Sequence, residues 1–381
     1  MKIGILAYRQ MPYISANTAI AYIIGEQLSK RNEITYIGRK QDASQDSISS
    51  YKGNSIKYLN KNPSDRLTRV RDYLIRIGLI RLAFYKDVIE MERIIKKESI
   101  EALICLIAPN EDAFISMSAK LQIPVFLYQL DPFYNLHDVE SPRLKRLFIG
   151  YLKKAEHVFT TELLMNQYNC DREIHQYLNK ITVVQFPKLI KPQLYKKEAS
   201  EKTVLLYSGS LYADRKPEFL IELVKCLTDD CMVVFCGKCE TKEDEQRLID
   251  NSVLCRGYCT QSELEQEMAK ANIFINIGNS VRNQLPSKII DYISTGKPII
   301  NLYQIGECSS KKVLGSYKYH LNLEVNAISK SKELLHEFIL KLKNKVIPWD
   351  EIQAQYKEYT PAYVAGVIQQ QIENVAFRGD D

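Results

Sequence analysis

The residues best suited to chemistry lie between Leu285 and Ile300, in the run Leu-Pro-Ser-Lys-Ile-Ile-Asp-Tyr-Ile-Ser-Thr-Gly-Lys-Pro-Ile-Ile. At about 100° per residue, Ile289, Ile290 and Ile293 share an apolar arc, and Ser287, Lys288 and Asp291 share the opposite polar one. Pro286 suits the first helical position, where no amide partner is lost, and Gly296 suits the stop. Pro298-Ile-Ile-Asn-Leu then reads as a buried strand. A helix start carries unpaired N–H groups and partial positive charge, which together cradle phosphate. Lys288 adds a cation, and Asp291 one turn deeper can accept from sugar hydroxyls. These residue types predict a nucleotide-diphosphate site.

A second segment points to the same ligand. In Tyr207-Ser-Gly-Ser-Leu-Tyr-Ala-Asp-Arg-Lys-Pro217, Gly209 leaves room beside Ser210 for backbone to approach a phosphate. Arg215 and Lys216 follow at a helix start. The partner segment, Gly278–Lys288, contributes Asn279 and Asn283. In a doubly wound sheet both segments lie at the carboxyl ends of strands, where ligands bind. Either alone reads equally as ordinary capping; the pair together favours a ligand. No G-x-G-x-x-G follows the first strand, and Gly296-Lys297 runs into Pro298, so neither a dehydrogenase nor a P-loop is expected.

The elements that must position these residues alternate along the chain. Strands are predicted at 2–7, 33–37, 55–59, 102–107, 125–129, 157–160 and 182–185, with helices at 17–30, 65–98, 110–121 and 142–155. Such alternation argues for a parallel sheet with helices on both faces. Residues 187–202 interrupt it with two prolines and five lysines. The pattern then restarts with strands at 203–208, 231–236, 253–256 and 272–277, separated by helices at 216–227, 242–250 and 261–269. A final helix, 361–377, has Thr360 as its cap and Pro361 at its first position. The division expected is 1–187 for a first α/β domain, 188–202 for a linker, 203–358 for a second α/β domain, and 359–381 for the last helix and a tail.

Composition fits two such domains. At 381 residues, with 45% apolar and 26% charged residues, the chain is too long for one ordinary core and too apolar for disorder. No run of 18 apolar residues occurs, so neither a membrane span nor a signal peptide is expected. Nine cysteines without an export signal predict reduced thiols in a cytoplasmic protein. Between Lys61 and Lys97 ten basic residues face five acidic ones, interleaved with leucines and isoleucines. A second basic stretch covers 143–154. Both can lie on an anionic membrane surface, or can be core-facing helices with solvated basic faces. Nucleic acid is not expected, since no binding motif accompanies the charge.

With these residues in hand, the order Gly-Ser-Leu…Arg-Lys followed by Pro-Ser-Lys-Ile-Ile-Asp-Tyr-Ile-Ser-Thr-Gly-Lys-Pro-Ile-Ile resembles glycosyltransferase family 4 and its relatives with the GT-B fold. The likeness is strong over about residues 200–302 and thinner before them. It implies an α/β protein of two Rossmann-like, doubly wound domains facing a cleft, the first (1–187) binding the acceptor and the second (203–358) the nucleotide sugar, with the C-terminal helix (359–381) crossing back to the N-terminal domain. Arg215 and Lys216 match the family's diphosphate-binding positions, Asp291 its ribose-binding carboxylate, and Gly257-Tyr258 the region of its nucleobase contacts. The family often carries two glutamates eight residues apart, and here the earlier position is Asn283, which cannot serve as a carboxylate nucleophile.

The activity implied is hexosyl transfer from a nucleotide-diphosphate sugar, UDP-linked on family frequency, to an acceptor hydroxyl on a glycan, lipid or protein. The resemblance implies a retaining outcome and a place in polysaccharide or glycoconjugate synthesis. Arg215 and Lys288 would stabilise leaving-group charge. No Asp-x-Asp motif occurs, so neither metal nor cofactor is expected. Asp131, in Leu-Asp-Pro-Phe-Tyr, either orients or deprotonates the acceptor or is a turn-forming Asp-Pro; His137 is its alternative. Cys236, Cys239, Cys255 and Cys259 approach a zinc-site spacing, but equally suit small buried residues. Two rival functions stay open: a sugar-nucleotide epimerase of the same fold, and a non-catalytic nucleotide-sugar-binding subunit of another transferase.

Overall fold

The structure is a computed structural model that describes residues 1–9, 16–39, 50–59, 70, 73–74, 79–107, 115, 119–136, 139–193 and 201–378. Met1–Lys188 and Glu358–Asp381 form one compact unit, and Leu189–Lys357 form a second. The division falls at the start of the stretch read as a linker, of which residues 194–200 lie outside the described residues.

The first unit is built on strands β1 (Lys2–Arg9), β2 (Glu33–Arg39), β3 (Ser50–Tyr51), β4 (Asn54–Tyr58), β5 (Ala102–Ile107), β6 (Val125–Gln129), β9 (His157–Thr160) and β10 (Ile181–Val183), with β7 (Asn135–Leu136) and β8 (Val139–Glu140) forming a separate hairpin. The main sheet runs β10-β9-β6-β5-β1-β2-β4-β3 and is parallel except for the β3–β4 pair. Its central strand β5 is buried along its whole length, hence a continuous apolar run without alternation. Helices α1 (Ala16–Leu28), α2 (Ile80–Ala83), α3 (Tyr85–Lys97), α4 (Pro142–Lys154) and α5 (Glu162–Asn169) connect the strands. Val88, Met91, Ile94 and Ile95 of α3 and Phe148, Tyr151 and Leu152 of α4 pack with Leu103, Cys105 and Leu127 into one core.

Some local expectations are corrected. The helix read over 65–98 is broken at Phe84, whose φ of −114° departs from helical geometry while its ring is buried. The two-residue strands β3, β7 and β8 were not foreseen; a strand that short has no periodicity to read. Of the helix read over 110–121, residues 110–114 and 116–118 lie outside the described residues and 119–121 are not helical; His137 and most of 61–78 also lie outside the described residues.

The second unit contains β11 (Thr203–Ser208), β12 (Cys231–Cys236), β13 (Val253–Gly257), β14 (Ile273–Ile277), β15 (Ile299–Tyr303) and β16 (His320–Glu324). They run β13-β12-β11-β14-β15-β16, every pair parallel. The order is that of a Rossmann sheet, which winds outward in both directions from β11 and β14. Helices α6 (Glu218–Lys225), α7 (Lys242–Asp250), α8 (Gln261–Lys270), α9 (Lys288–Ser294), α10 (Ser309–Leu314), α11 (Lys332–Leu342) and α12 (Trp349–Gln355) complete it. β16 and α10 to α12 add to the elements that sequence periodicity predicts.

A buried asparagine ladder fixes the register of the last three strands. Asn276, Asn301 and Asn322 are partners in register; Asn276 Nδ2 donates to Asn301 Oδ1 (2.7 Å) and Asn301 Nδ2 to Asn322 Oδ1 (2.7 Å). Asn276 also donates to Ser310 Oγ (3.1 Å), tying α10 to the sheet. A one-residue slip would strand these amides in an apolar interior, which costs about 1–3 kcal/mol for each unpaired group.

The last helix, α13 (Pro361–Arg378), belongs to the first unit, where it packs on α1. Thr360 Oγ1 accepts from the Tyr363 N–H (3.3 Å), and Asn32 Nδ2 donates to Gln369 Oε1 (2.7 Å). Val364, Ile368 and Ile372 are buried. Ile368→Ala should therefore destabilise the first unit by about 2–5 kcal/mol. Urea unfolding followed by a probe in that unit measures it; a change under about 1 kcal/mol would contradict this packing.

Candidate functional site

Between β11 and β14 the winding of the second sheet reverses. The loops after these two neighbouring strands leave in opposite directions and open a crevice at the carboxyl edge, where such sheets bind ligands. The loop after β11 carries Gly209 to Lys216, and the loop after β14 carries Gly278 to Ser287. Both sequence-read segments thus flank the same reversal.

Four side chains join the loops. Arg215 Nη2 donates to Asn279 Oδ1, and Ser280 Oγ donates to Asp214 Oδ2. Asn279 Nδ2 in turn donates to the Gln284 carbonyl (3.1 Å), which also accepts from Ser309 Oγ (2.8 Å). Burial pushes the Tyr207 phenol up to about 12, and the charge of the nearby Arg215 guanidinium partly offsets the rise. A guanidinium has five donors in a planar fork, so Arg215 keeps donors for an oxyanion while its position is fixed.

Glycines shape the floor. Gly209 has φ +150°, and its N–H donates to the Cys236 carbonyl (3.0 Å). A Cβ on Gly237 would lie 1.9 Å from the Gly209 oxygen, so the turn after β12 can touch the turn after β11 only through glycine. Gly237 N–H then donates to the Gly257 carbonyl (2.8 Å), extending the row to β13. Gly257 sits at φ +67°. Tyr258 beyond it is 70% exposed, with Lys238 Nζ 5.2 Å from its ring centroid. Ser210 and Lys216 are exposed at the same edge.

Helix α9 supplies the remaining residues. Ile289, Ile290 and Ile293 are fully buried, and Ser287, Lys288 and Asp291 are half-buried on the other side, as their spacing predicts. The helix begins at Lys288, however, with Ser287 at the cap position, so Pro286 is buried two residues before the first helical residue. Ile289 N–H reaches back to the Pro286 carbonyl (3.0 Å), a turn that delays the helix. Seven residues give a short helix and a small dipole. Positive charge at this edge therefore rests on side chains more than on the helix start. Lys288 Nζ lies 3.5 Å from Asp291 Oδ2, so the cation assigned to phosphate and the carboxylate assigned to ribose meet each other here. Asn283 is half-buried in the same loop.

Several contributors escaped sequence reading. Tyr292, in the gap between polar and apolar arcs, fastens α9 to the strand before Gly209. Its hydroxyl accepts the Ser208 N–H (2.9 Å) and lies 3.1 Å from the Ser208 carbonyl. Asp214, Ser280 and Gly237 lacked any signal beyond proximity to loop glycines. Lys297 is structural: its ammonium caps α8 through the carbonyls of Met268 (2.9 Å), Ala269 (2.9 Å) and Ala271 (2.7 Å).

Asp131 belongs to the first unit, half-buried after β6, with its backbone carbonyl accepting from Gln129 Nε2 (3.0 Å). Burial raises the thiols of Cys239 and Cys255 to about 11 and also raises that of Cys236, so these sulfurs stay protonated at neutral pH. Among the described residues no three His, Cys, Asp or Glu side chains gather to hold a metal ion.

No protein-family model matches the chain, and no curated protein sequence matches it. Its likeness is to solved structures. Over 98% of this chain and 99% of the other, it superposes on the lipopolysaccharide outer core galactosyltransferase WaaB in its apo form, with 14% identity and a TM-score of 0.61. Anabaena Alr3699/HepE in complex with UDP-glucose is 12% identical over 99% of both chains, TM-score 0.63. UDP-GlcNAc 2-epimerase from Methanocaldococcus jannaschii is 13% identical over 98% of this chain and 100% of that one, TM-score 0.57. The chain therefore has the GT-B fold, as its motifs led one to expect.

Gly237→Ala should lower the melting temperature by several degrees, since a Cβ cannot fit against the Gly209 carbonyl. A differential scan in which this variant melts with the parent would contradict the close approach of the two turns.

Proposed function

We propose that the protein is a glycosyltransferase that moves a hexose from a nucleotide-diphosphate donor, a UDP-sugar, to an acceptor hydroxyl. The observation that carries this reading is the pair of loops joined by Arg215–Asn279 and Asp214–Ser280 across the reversal of the second sheet. The complex of HepE with UDP-glucose supports the choice of donor.

Each site residue then has a task. The Gly209 turn and Ser210 admit the pyrophosphate; Arg215, Lys216 and Lys288 neutralise the charge that builds as the C1–O bond breaks. Lys288 would exchange its contact with Asp291 for phosphate, freeing that carboxylate for the ribose hydroxyls. Tyr258, with Gly257, meets the base. Asn279 holds Arg215 in place, and Pro286 and Ser287 shape the turn into α9. Asn283 hydrogen-bonds the donor sugar, and Asp131 orients or deprotonates the acceptor. Neutralisation by side chains needs no metal, in keeping with the missing Asp-x-Asp motif. We keep the retaining outcome implied by the resemblance, with Asn283 as a hydrogen-bond partner rather than a nucleophile.

The epimerase among the structural neighbours supports a second reading, in which the same pocket inverts a sugar centre. Free UDP as product favours transfer; a rearranged nucleotide sugar favours epimerisation. Binding without either product favours a non-catalytic subunit.

Lys288→Ala and Arg215→Ala should each lower turnover and raise the donor KM, at a cost of about 1.5–3 kcal/mol for one charge-assisted contact. Parental kinetics in both variants would remove this site from consideration.

We further propose a cytoplasmic enzyme that works in polysaccharide or glycoconjugate synthesis at the inner membrane face. No helix among the described residues is long and apolar enough to cross a membrane. On α4, Arg143, Arg146, Lys153 and Lys154 are exposed, spaced to share one face of the helix. Lys145 is not part of that stripe: it is held by Asp171 (2.9 Å), Glu173 (3.0 Å) and Glu140 (3.3 Å). Leu82, Tyr85 and Ile89, also exposed in the first unit, add apolar surface. The parent protein should float with vesicles containing phosphatidylglycerol, and Arg146→Glu with Lys153→Glu should weaken that binding at least about tenfold at low salt. Equal flotation of parent and variant would rule out this face of α4 as the contact, and a parent that ignores the vesicles would argue for a soluble acceptor.

A further inference from the structure

The side chains that hold Asp131 carry an inference about the acceptor side, one that rests on the glycosyl-transfer reading. Gln129 ends β6 and is wholly buried. Its amide nitrogen donates to the Asp131 carbonyl (3.0 Å), and its amide oxygen accepts from the Tyr168 hydroxyl (2.6 Å). A backbone carbonyl can only accept, so the orientation of this amide is fixed. Three residues after Asp131, Tyr134 donates to Asp171 Oδ2 (3.0 Å), the same carboxylate that Lys145 grips at 2.9 Å. Between them Phe133 is buried and stacks on Phe148 at 5.5 Å. An Asp-Pro turn forms on local preferences alone. Here the stretch from Asp131 to Tyr134 is fastened at both ends, by residues of β6, α4 and α5 and by Asp171.

We infer that Gln129 and Tyr168 are positioning residues: they fix the backbone at Asp131 so that its carboxylate meets the acceptor hydroxyl in a single orientation. Asp131 would touch the acceptor; Gln129 and Tyr168 would act only through it. Such a device matters because a misplacement of about 1 Å can cost about 100-fold in rate. The phenol of Tyr168 is suited to a lasting donor role, since burial raises it far above its ordinary value and keeps it protonated.

The test uses the full chain with UDP-glucose as donor and water or an added sugar as acceptor. UDP release is compared among the parent, Asp131→Asn, Gln129→Leu and the double variant, with UDP affinity measured on each by calorimetry. Asp131→Asn should lose about 100-fold or more in turnover. Gln129→Leu should lose at least about tenfold, and the double variant should be no slower than Asp131→Asn, because removing a positioner costs nothing once its target is gone. UDP affinity should hold throughout. A Gln129→Leu enzyme at the parental rate, or losses that multiply in the double variant, would overturn the inference. Parental turnover in Asp131→Asn would instead mark a failure of the underlying reading. Tyr168→Phe keeps the ring against Phe148, 5.4 Å between centroids, and guards against misfolding of the leucine variant; a loss of about threefold or more is expected, and none would count against the inference. If the parent releases no UDP from UDP-glucose, a crystal structure of Gln129→Leu decides: an Asp131 carbonyl displaced by about 1 Å supports the inference, and superposition overturns it.

Discussion

The second unit depends on one topological constraint. A parallel sheet that winds outward in both directions must contain a pair of neighbouring strands whose following loops part from each other. Here those strands are β11 and β14. The chain must tie the parting loops to each other without closing the gap between them. It does so with Arg215–Asn279 and Asp214–Ser280, and with Tyr292 anchored on Ser208 from below. The same arrangement that stabilises the edge leaves cations there. Positioning and charge thus come from the same residues.

Glycine and asparagine do the complementary work. Gly237 lets two turns touch where any Cβ would collide, and the ladder of Asn276, Asn301 and Asn322 holds three strands in one register. Together they fix where β11, β12 and β14 end. The ends of those strands decide where Gly209 and Asn279 stand. Local packing rules and the proposed chemistry therefore act on the same few residues.

How much of this was legible in the sequence follows from the range of the forces involved. Buried parallel strands such as β5 and β11 are continuous apolar runs, and amphipathic helices such as α9 repeat with a fixed period; both announce themselves over a few residues. The polar arc of Lys288 and Asp291 was read correctly for that reason, and the GT-B fold followed from the motif order. Helix α9 starts two residues later than its sequence predicts, because Pro286 satisfies local rules that Ser287 satisfies as well. Asp214, Ser280, Gly237 and Gln129 gave no signal, since their partners are reached only through sheet pairing. The meeting of Lys288 with Asp291 was hidden for another reason: both residues were read, but each was assigned to a ligand rather than to its neighbour on the same helix.

Hydrogen exchange on the UDP-bound and UDP-free protein tests the central claim most directly, because it locates the ligand on the chain. If the joined loops grip a nucleotide diphosphate, saturating UDP should slow exchange in peptides covering 207–217 and 278–291 and leave β16 and α11 unchanged. Unaltered exchange in both loops, or protection confined to the first unit, would contradict it.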